Sequence, residues 1–210
     1  VGLNVAADPL FTATHTGVSG ALVLIVADDP GMASSQNEQD SRRYAVAAGA
    51  PMLEPSDSQE AYDFLIAALD LSHRYGTPVL LRTTTRVNHS KSVVTRRTVT
   101  LETGAIHFEH DRSGRVMVPA NARPAHRRLR QRLAAIATWN EHSDLNRLFK
   151  GNRRLGIITS GISVMHAREA APDASLLKLG ITYPLPLDRI REWARGNPGG
   201  WIQGWGWDQN

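Results

Sequence analysis

An uninterrupted run of seven apolar residues, Ala21–Ala27, constrains the fold of this chain more than any other feature of its sequence. The run is rich in Val, Ile and Leu and ends in two carboxylates, Asp28 and Asp29. A short, uniformly apolar segment with β-branched residues is typical of a strand that is buried on both faces of a parallel sheet. We therefore predict a buried strand here and an α/β fold around it.

A long polar segment follows this strand. It contains a Pro-Gly turn and then the string SSQNEQD, and it runs to Arg42 and Arg43. Ligands of open α/β sheets bind beyond the carboxyl ends of the strands, so this segment is the first place to look for a site. The candidate binding residues are Asp28, Asp29, Ser35, Gln36, Asn37, Arg42 and Arg43. A solvated connection with a helix cap remains the alternative interpretation of the same pattern.

Further elements with α/β spacing lie on both sides of the middle of the chain. A helix with apolar residues at intervals of three and four is predicted from Ser58 to Gly76, and the apolar strand Val79–Leu81 follows it. Strand, helix and strand at this spacing predict a parallel sheet with right-handed crossovers. A second α/β unit begins at Leu155. We therefore predict domains at 1–92 and 151–210, joined over 93–150 by an irregular connection and a basic helix.

The basic helix, predicted from Arg123 to Asn140, offers a different functional hypothesis. Its first half carries Arg127, Arg128, Arg130 and Arg132, which could dock an acidic partner or contact phosphates. No aromatic residues alternate with these arginines to stack on bases, so a solvated helix face is the simpler interpretation and no nucleic acid is expected. A non-catalytic interaction module that docks through Arg123–Arg132 nevertheless remains the alternative function.

Several classes of site are excluded by composition. The 210 residues include no Cys, so this chain cannot hold a disulfide, a Cys-based zinc site or an iron–sulfur cluster by itself. No apolar run approaches the roughly 20 residues that span a bilayer, so no membrane association is expected. The glycine fingerprint of dinucleotide-binding folds and the Walker loop are both absent. The first ten residues do not form a signal peptide, and we expect the chain to be part of a longer protein.

Three strings carry a resemblance to a known family: ADDPGMASSQNEQDSR, PMLEPSDSQEAYDF and PVLLRTTTRVNHSKS. In this order they resemble the alpha subunit of indolepyruvate ferredoxin oxidoreductase, and the later MVPANAR, LGIITSGIS and LKLGITYPLP are similar to the same subunit. The resemblance implies an incomplete pyrimidine-binding domain of the thiamine diphosphate type at 1–92. It also implies a small α/β domain similar to the transketolase C-terminal domain at 151–210.

The resemblance also implies a reaction. Enzymes of this family oxidatively decarboxylate 2-oxoacids, transfer the acyl group to coenzyme A and reduce ferredoxin, and they use thiamine diphosphate with Mg²⁺ and 4Fe-4S clusters. The expected partners are a beta subunit, ferredoxin, coenzyme A and an arylpyruvate substrate, in the cytoplasm. The family's activating Glu, its diphosphate-binding domain and its cluster cysteines are expected outside these residues. We therefore assign no catalytic residue and no metal ligand to this chain and expect it to be inactive in isolation.

Arg42 is the residue for which the resemblance suggests the most specific role. Related pyruvate enzymes place a substrate-binding Arg in the region that follows this strand, and Arg42 or Arg43 could match it. A guanidinium group suits the carboxylate of a 2-oxoacid because it can form two parallel hydrogen bonds. The alternative is that Arg42 pairs with Asp40 or Glu38 on the surface, and the sequence leaves both interpretations open.

Overall fold

The first sheet is mainly parallel, as predicted, and has the strand order β1-β3-β2-β7. The computed structural model describes residues 2–98, 110–197 and 201–204. The strands of this sheet are β1 (Val23–Asp28), β2 (Met52–Leu53), β3 (Val79–Thr84) and β7 (Ile181–Tyr183). β1 and β2 both pair parallel to β3, whereas β7 pairs antiparallel to β2. The two parallel pairs confirm the βαβ prediction.

A second sheet has the strand order β4-β6-β5-β8. Its strands are β4 (Arg147–Phe149), β5 (Asn152–Ser160), β6 (Ala174–Leu179) and β8 (Trp201–Gly204). β5 pairs parallel to β6 and to β8, and β4 joins the edge in the antiparallel direction. β4 and β8 were not predicted, and the rest of the glycine- and Trp-rich end lies outside the described residues. The division into domains at 1–92 and 151–210 stays a prediction. β7, which lies in the second of these ranges, is a strand of the first sheet.

Helices cover both sheets. They are α1 (Gly2–Val5), α2 (Ala7–Thr16), α3 (Ser41–Ala48), α4 (Ser58–Tyr75), α5 (Thr85–His89), α6 (Arg112–Arg115), α7 (Pro119–Asn140), α8 (Ser163–Ala170) and α9 (Leu187–Arg195). α6 lies within the segment that was predicted to be an irregular connection, and 99–109 before it lies outside the described residues. Within the described parts of the chain, no helix is both long and apolar enough to cross a membrane.

The first sheet is packed on both faces. On one face Phe64, Ala68 and Leu71 of α4 pack against the strands, and on the other face Leu10 of α2 and Ala45 of α3 do so. Burying apolar surface of this kind contributes about 25 cal/mol per Å². The sheet is therefore a rigid platform, and the ends of its strands are fixed in position.

The prediction that the Ala21–Ala27 strand is buried on both faces is wrong for the described structure. β1 is the edge strand of the sheet, and the Ile25 side chain is 63% exposed. The strand whose residues are all buried is β3, which lies between β1 and β2. An apolar run indicates that a segment can form a strand, but it does not identify the strands that lie on each side of it in the sheet. Sequence reasoning could therefore place the strand but not its position in the sheet.

Helix boundaries follow from capping residues. Asp57, rather than the predicted Ser58, is the N-cap of α4 and accepts a hydrogen bond from the Glu60 backbone N–H at 2.8 Å. Asp40 caps α3 in the same way, so α3 begins only at Ser41. Both helices end at a glycine with left-handed backbone, Gly49 and Gly76, as the sequence predicts. The late start of α3 lengthens the polar segment after β1.

Candidate functional site

Asp28 anchors the polar segment at the carboxyl end of β1. The residue is 8% exposed, and its Oδ2 atom accepts a hydrogen bond from Arg82 Nε at 2.6 Å. The backbone N–H of Ser41 also donates to Oδ2 at 3.0 Å, and the Ser41 hydroxyl donates to Oδ1. One carboxylate thus joins the end of β1, the middle sheet strand β3 and the first residue of α3. We name residues 28–42 the polar loop, and its two ends are held together by this contact.

Arg82 extends this anchor to a third strand. Its Nη1 atom donates to Glu54 Oε2 at 2.8 Å, and as whole residues Arg82 and Glu54 are 4% and 2% exposed. Burial alone lowers the pKa of Arg82, but the Glu54 and Asp28 carboxylates outweigh burial and hold this pKa above its ordinary value. Arg82 therefore stays charged and ties together the ends of β1, β2 and β3.

Asp29 organises the first half of the polar loop. Its Oδ2 atom accepts hydrogen bonds from the Ser34 and Ser35 backbone N–H groups at 2.8 and 2.9 Å, and its Oδ1 atom accepts one from the Thr85 hydroxyl at 3.0 Å. The Ser34 hydrogen bond is the largest of the effects that lower the pKa of Asp29 to about 2. Asp29 is thus a charged residue whose hydrogen bonds order the first half of the polar loop. This agrees with the alternative interpretation of the segment as a solvated connection.

The other predicted site residues lie in different surroundings. Gln36 and Asn37 are exposed near the outer part of the loop, and Asn37 Oδ1 accepts a hydrogen bond from Gln39 Nε2 at 2.8 Å. Ser35 is partly buried, and its backbone N–H donates to Asp29. Within the polar loop, Gln36 and Asn37 therefore offer amide groups to the solvent side, where a ligand or a neighbouring surface could contact them.

Arg42 and Arg43 lie at the beginning of α3 and differ in their contacts. Arg42 donates from Nε and Nη2 to the two carboxylate oxygens of Asp40 at 2.8 and 3.0 Å. Burial alone raises the pKa of Asp40, but Arg42 outweighs this effect and holds the pKa below its ordinary value. The pairing that the sequence left open is therefore present. Arg43 is exposed, and together with Arg42 it lines a cleft of about 610 Å³.

A second buried ion pair connects the two sheets. Lys178 of β6 pairs with Glu60 at the start of α4, and the two residues are 1% and 4% exposed. Glu60 also accepts hydrogen bonds from the Ser56 backbone and hydroxyl at 2.8 and 2.6 Å. Burial alone raises the pKa of Glu60, but Lys178 and these donors outweigh burial and keep it below its ordinary value. The Lys178 ammonium also lies 5.0 Å from the centroid of the Phe64 ring.

The residues that the structure describes do not fit a metal centre. Among the residues that the structure describes, no group of three or more His, Asp and Glu side chains converges on a point where a metal ion could bind. Asp28 and Asp29, the carboxylates nearest the end of β1, already accept hydrogen bonds from Arg82, Ser34 and Ser35. We therefore derive no chemical step through a metal or a thiamine cofactor from these residues.

Sequence reasoning missed three residues of the two buried ion pairs: Arg82 and Glu54 at the strand ends, and Lys178 between the sheets. The sequence does indicate that two of them are buried cations, because Arg82 directly follows the apolar Val79–Leu81 and Lys178 interrupts an apolar strand pattern. A cation within a buried strand needs an anionic partner in the interior. The pattern could thus have indicated buried ion pairs, although it could not identify Asp28, Glu54 and Glu60 as the partners.

Sequence comparison relates the chain to one kind of curated protein. It is 44% identical over 202 residues to the indolepyruvate oxidoreductase subunit IorA of Methanothermobacter thermautotrophicus, which covers 93% of this chain and 33% of the relative. It is 40% identical over 191 residues to the subunit of the same name from Archaeoglobus fulgidus, which covers 89% of this chain and 31% of the relative. The chain thus spans about one third of the length of these relatives. No protein-family model matches the chain.

Structural comparison supports the fold. The chain superposes with a TM-score of 0.66 on a 2-oxoglutarate:ferredoxin oxidoreductase from Magnetococcus marinus, solved with 2-oxoglutarate, coenzyme A and succinyl-CoA bound. The match covers 92% of this chain and 42% of the solved chain, at 15% sequence identity. At this identity the superposition is evidence for a shared fold alone.

Proposed function

We propose that this chain, a homologue of one third of the indolepyruvate oxidoreductase subunit IorA, serves as part of the alpha subunit of an arylpyruvate ferredoxin oxidoreductase. The complete enzyme would oxidatively decarboxylate a 2-oxoacid such as indolepyruvate, form the acyl-CoA and reduce ferredoxin. The observation that carries this proposal is the 44% identity to IorA over 93% of the chain. The strings of the polar loop and of the segments after it are similar, in the same order, to the same subunit.

Within that enzyme, residues 1–92 would form part of the pyrimidine-binding domain and residues 151–210 part of the transketolase-like domain. Mg²⁺ and the 4Fe-4S clusters would be held by other parts of the complex, because the sequence contains no Cys and the described residues form no group of three or more His, Asp and Glu side chains that could hold a metal ion. The beta subunit, ferredoxin and coenzyme A are the partners that this assignment requires.

The polar loop would lie at the cofactor cleft. Its ends are fixed to the sheet by Asp28 and Arg82, and a polar segment that is held by a rigid element is a usual place for binding residues. Gln36 and Asn37 would present amide groups to the substrate, and Arg42 or Arg43 would bind its carboxylate. The structural support for this proposal is the exposure of the two amides and the presence of Arg42 and Arg43 at the same end of α3.

A chimeric subunit tests the proposed function. The matching third of IorA from Methanothermobacter thermautotrophicus is replaced by this chain, and the chimera is purified with its beta subunit. We expect reduction of a dye acceptor that depends on indolepyruvate and coenzyme A. A chimera that assembles with the beta subunit and retains its clusters, yet shows no such turnover, would contradict the proposal.

The same chimera tests the polar loop. We expect Gln36→Ala and Asn37→Ala to raise KM for indolepyruvate or to lower kcat/KM by severalfold, since each would remove a polar contact of about 0.5–1.5 kcal/mol. The control is Thr138→Ala on the exposed side of α7, where the hydroxyl donates only to the Ala134 carbonyl. If the loop variants retain the kinetics of this control, the loop does not contact the substrate.

A further inference from the structure

Helix α7 carries a group of exposed cations for which the proposed catalytic function has no use. Four arginines of its first half are exposed: Arg123, Arg127, Arg128 and Arg130. Within residues 2–98, 110–197 and 201–204, none of the four forms an ion pair with a carboxylate. Other exposed arginines of the chain do have such partners, for example Arg74 with Asp70 at 3.0 Å.

Three of these arginines form a straight row. Arg123, Arg127 and Arg130 are separated by four and three residues, which places them on one side of an α-helix over a rise of about 10 Å. Like charges at these spacings destabilise an isolated helix by about 0.2–0.5 kcal/mol per pair. Because α7 contains no Asp or Glu that could offset the repulsion, an anionic group outside the described fold is the natural partner of this row, which we name the arginine stripe.

The arginine stripe leads into the cleft that Arg42 and Arg43 line at one end and that is otherwise largely apolar. The same spacing continues through Ala134 to Ala137, and Ala137 lines the cleft of about 610 Å³. The buried Met52 also lines the cleft, and Val46 and Leu187 stand at it with 58% and 49% of their surface exposed. This volume lies in the range of about 300–1,000 Å³ that is typical of ligand clefts. A row of cations and an apolar cavity thus form one continuous surface.

We propose that the arginine stripe and this cleft form a docking surface for an acidic protein partner, which places a row of carboxylates on the stripe and inserts an apolar side chain into the cleft. An apolar anchor that is surrounded by charged contacts is the usual anatomy of a protein interface. Charge complementarity with Arg123, Arg127 and Arg130 determines the acidic character of the partner.

Nucleic acid fits this surface less well. Ala125, Leu129 and Leu133 bury the opposite side of α7, and the helix packs on α2, so α7 does not project from the protein as a helix that enters a groove must. α7 contains neither Phe nor Tyr, and its Trp139 packs against the core cluster around α4. The remaining aromatic ring of α7, His126, is stacked on His15 with the ring centroids 5.4 Å apart, so α7 offers no series of free aromatic faces for successive bases.

The test compares two triple variants with the same change in net charge. The stripe variant is Arg123→Gln/Arg127→Gln/Arg130→Gln. The control is Arg74→Gln/Arg97→Gln/Arg191→Gln, three exposed arginines that are paired with Asp70, Asp63 and Asp188. The probes are a fluorescent polyglutamate peptide with one internal Trp, the same peptide with Ala in place of Trp, and a short duplex DNA. Binding to the 210-residue chain is measured by fluorescence anisotropy at several salt concentrations.

We expect the stripe variant to weaken binding of the Trp peptide at least about tenfold and the control variant less than about threefold, because only the stripe forms the contact. The Ala peptide should bind more weakly than the Trp peptide. The variant Val46→Ser/Leu187→Ser should remove that difference, since both substitutions are exposed and leave the fold intact.

Three results would each overturn the proposal. Equal weakening by the two triple variants would indicate attraction by net charge alone. Equal affinity for the Trp and Ala peptides would show that the cleft takes no apolar anchor. Tighter, stripe-dependent binding of the duplex would identify a nucleic-acid surface instead. None of these measurements depends on the proposed oxidoreductase activity, so the two proposals can fail separately.

Discussion

Arg82 and Asp28 form an ion pair in the interior of the protein, with Nε and Oδ2 2.6 Å apart and side chains that are 3% and 6% exposed. The pair lies between the carboxyl ends of two parallel strands, and Glu54 joins it at 2.8 Å from the opposite side of the guanidinium group. A buried charge is tolerated only where partners compensate for its lost hydration. The geometry of the polar loop therefore depends on a contact that cannot be removed without exposing or unfolding part of the sheet.

Replacing Arg82 by Met should destabilise the protein strongly. The substitution leaves the Asp28 and Glu54 carboxylates buried without their cation, and breaking a buried pair in this way costs about 3–5 kcal/mol. The free energy of unfolding of Arg82→Lys should lie between those of Arg82→Met and the unaltered protein. An ammonium group keeps the charge but cannot bind both carboxylates in a fixed fork. Urea unfolding measures the difference in the free energy of unfolding.

The control for this prediction is Arg74→Met, which breaks the pair between Arg74 and Asp70, whose side chains are 53% and 63% exposed. A surface pair contributes at most about 1 kcal/mol. If Arg82→Met and Arg74→Met shift the free energy of unfolding equally, Arg82 is not the element that holds the three strand ends together.

The pair between Glu60 and Lys178 should couple the two sheets energetically. Lys178→Met leaves the Glu60 carboxylate buried with only its Ser56 donors, so we expect a loss of about 3–5 kcal/mol. The double variant Glu60→Gln/Lys178→Met should cost less than the sum of the single variants, because it removes both charges. A double-mutant cycle from urea unfolding provides the coupling energy, and additive single effects would show that the pair contributes no net stability.

This pair also predicts a dependence of stability on pH. The pKa of Glu60 is lower in the folded protein than its ordinary value of 4.5. Its stabilising contribution is therefore complete above pH 4.5 and is lost as the pH falls through the lower folded value. Glu60→Gln should remove this part of the acid dependence. An unchanged slope of the unfolding free energy against pH in that window would contradict the assignment.

How far the sequence predicts this fold depends on the kind of signal. Local signals were sufficient to place α4, because an apolar period of three and four and a terminal glycine lie within the same segment, although the cap is Asp57 rather than Ser58. They were insufficient for β1, since the apolar run from Ala21 does not specify that only β3 lies beside it. The short strands β4 and β8 are stabilised by partners distant in sequence, and neither has a pattern of its own.

The candidate site was likewise predicted only in part from the sequence. The sequence predicts a polar loop after β1 and correctly allows that Arg42 pairs with Asp40. It does not identify Arg82 as the partner of Asp28, because 54 positions separate the two residues and only the parallel register of β1 and β3 brings them together. Sequence patterns thus locate the loop, whereas the sheet topology determines which of its side chains are free to meet a ligand.

Asp29 should titrate at an unusually low pH. Its pKa of about 2, compared with 3.8 for an ordinary Asp, follows first from the Ser34 backbone hydrogen bond and then from the Thr85 and Ser35 donors. The charged form is favoured in the folded protein, so the order that Asp29 imposes on the loop is complete above pH 3.8 and is lost as the pH falls through about 2. NMR titration of the Asp29 carboxyl carbon measures the midpoint.

The variant Thr85→Val tests whether these hydrogen bonds lower the pKa of Asp29. It removes one donor to Asp29 and keeps the shape of the side chain, so the midpoint should move upward toward 3.8. A midpoint near 3.8 in the unaltered protein would mean that the loop does not hold Asp29 in this geometry in solution.

Arg42 provides the sharpest test of the proposed substrate site, because its partner Asp40 can be changed separately. In the chimeric enzyme, we expect Arg42→Ala to lower kcat/KM for indolepyruvate by about 1.5–3 kcal/mol, the range for a hydrogen bond to a charged group. Asp40→Asn keeps a side chain that can cap α3 but removes the competing carboxylate, so it should leave kcat/KM unchanged or raise it. A substrate carboxylate and Asp40 would then compete for the same two guanidinium N–H groups, at Nε and Nη2. Equal losses in the two variants would instead assign Arg42 to fixing the start of α3, and unchanged kinetics in both would leave the substrate carboxylate to Arg43 or to a residue outside this chain.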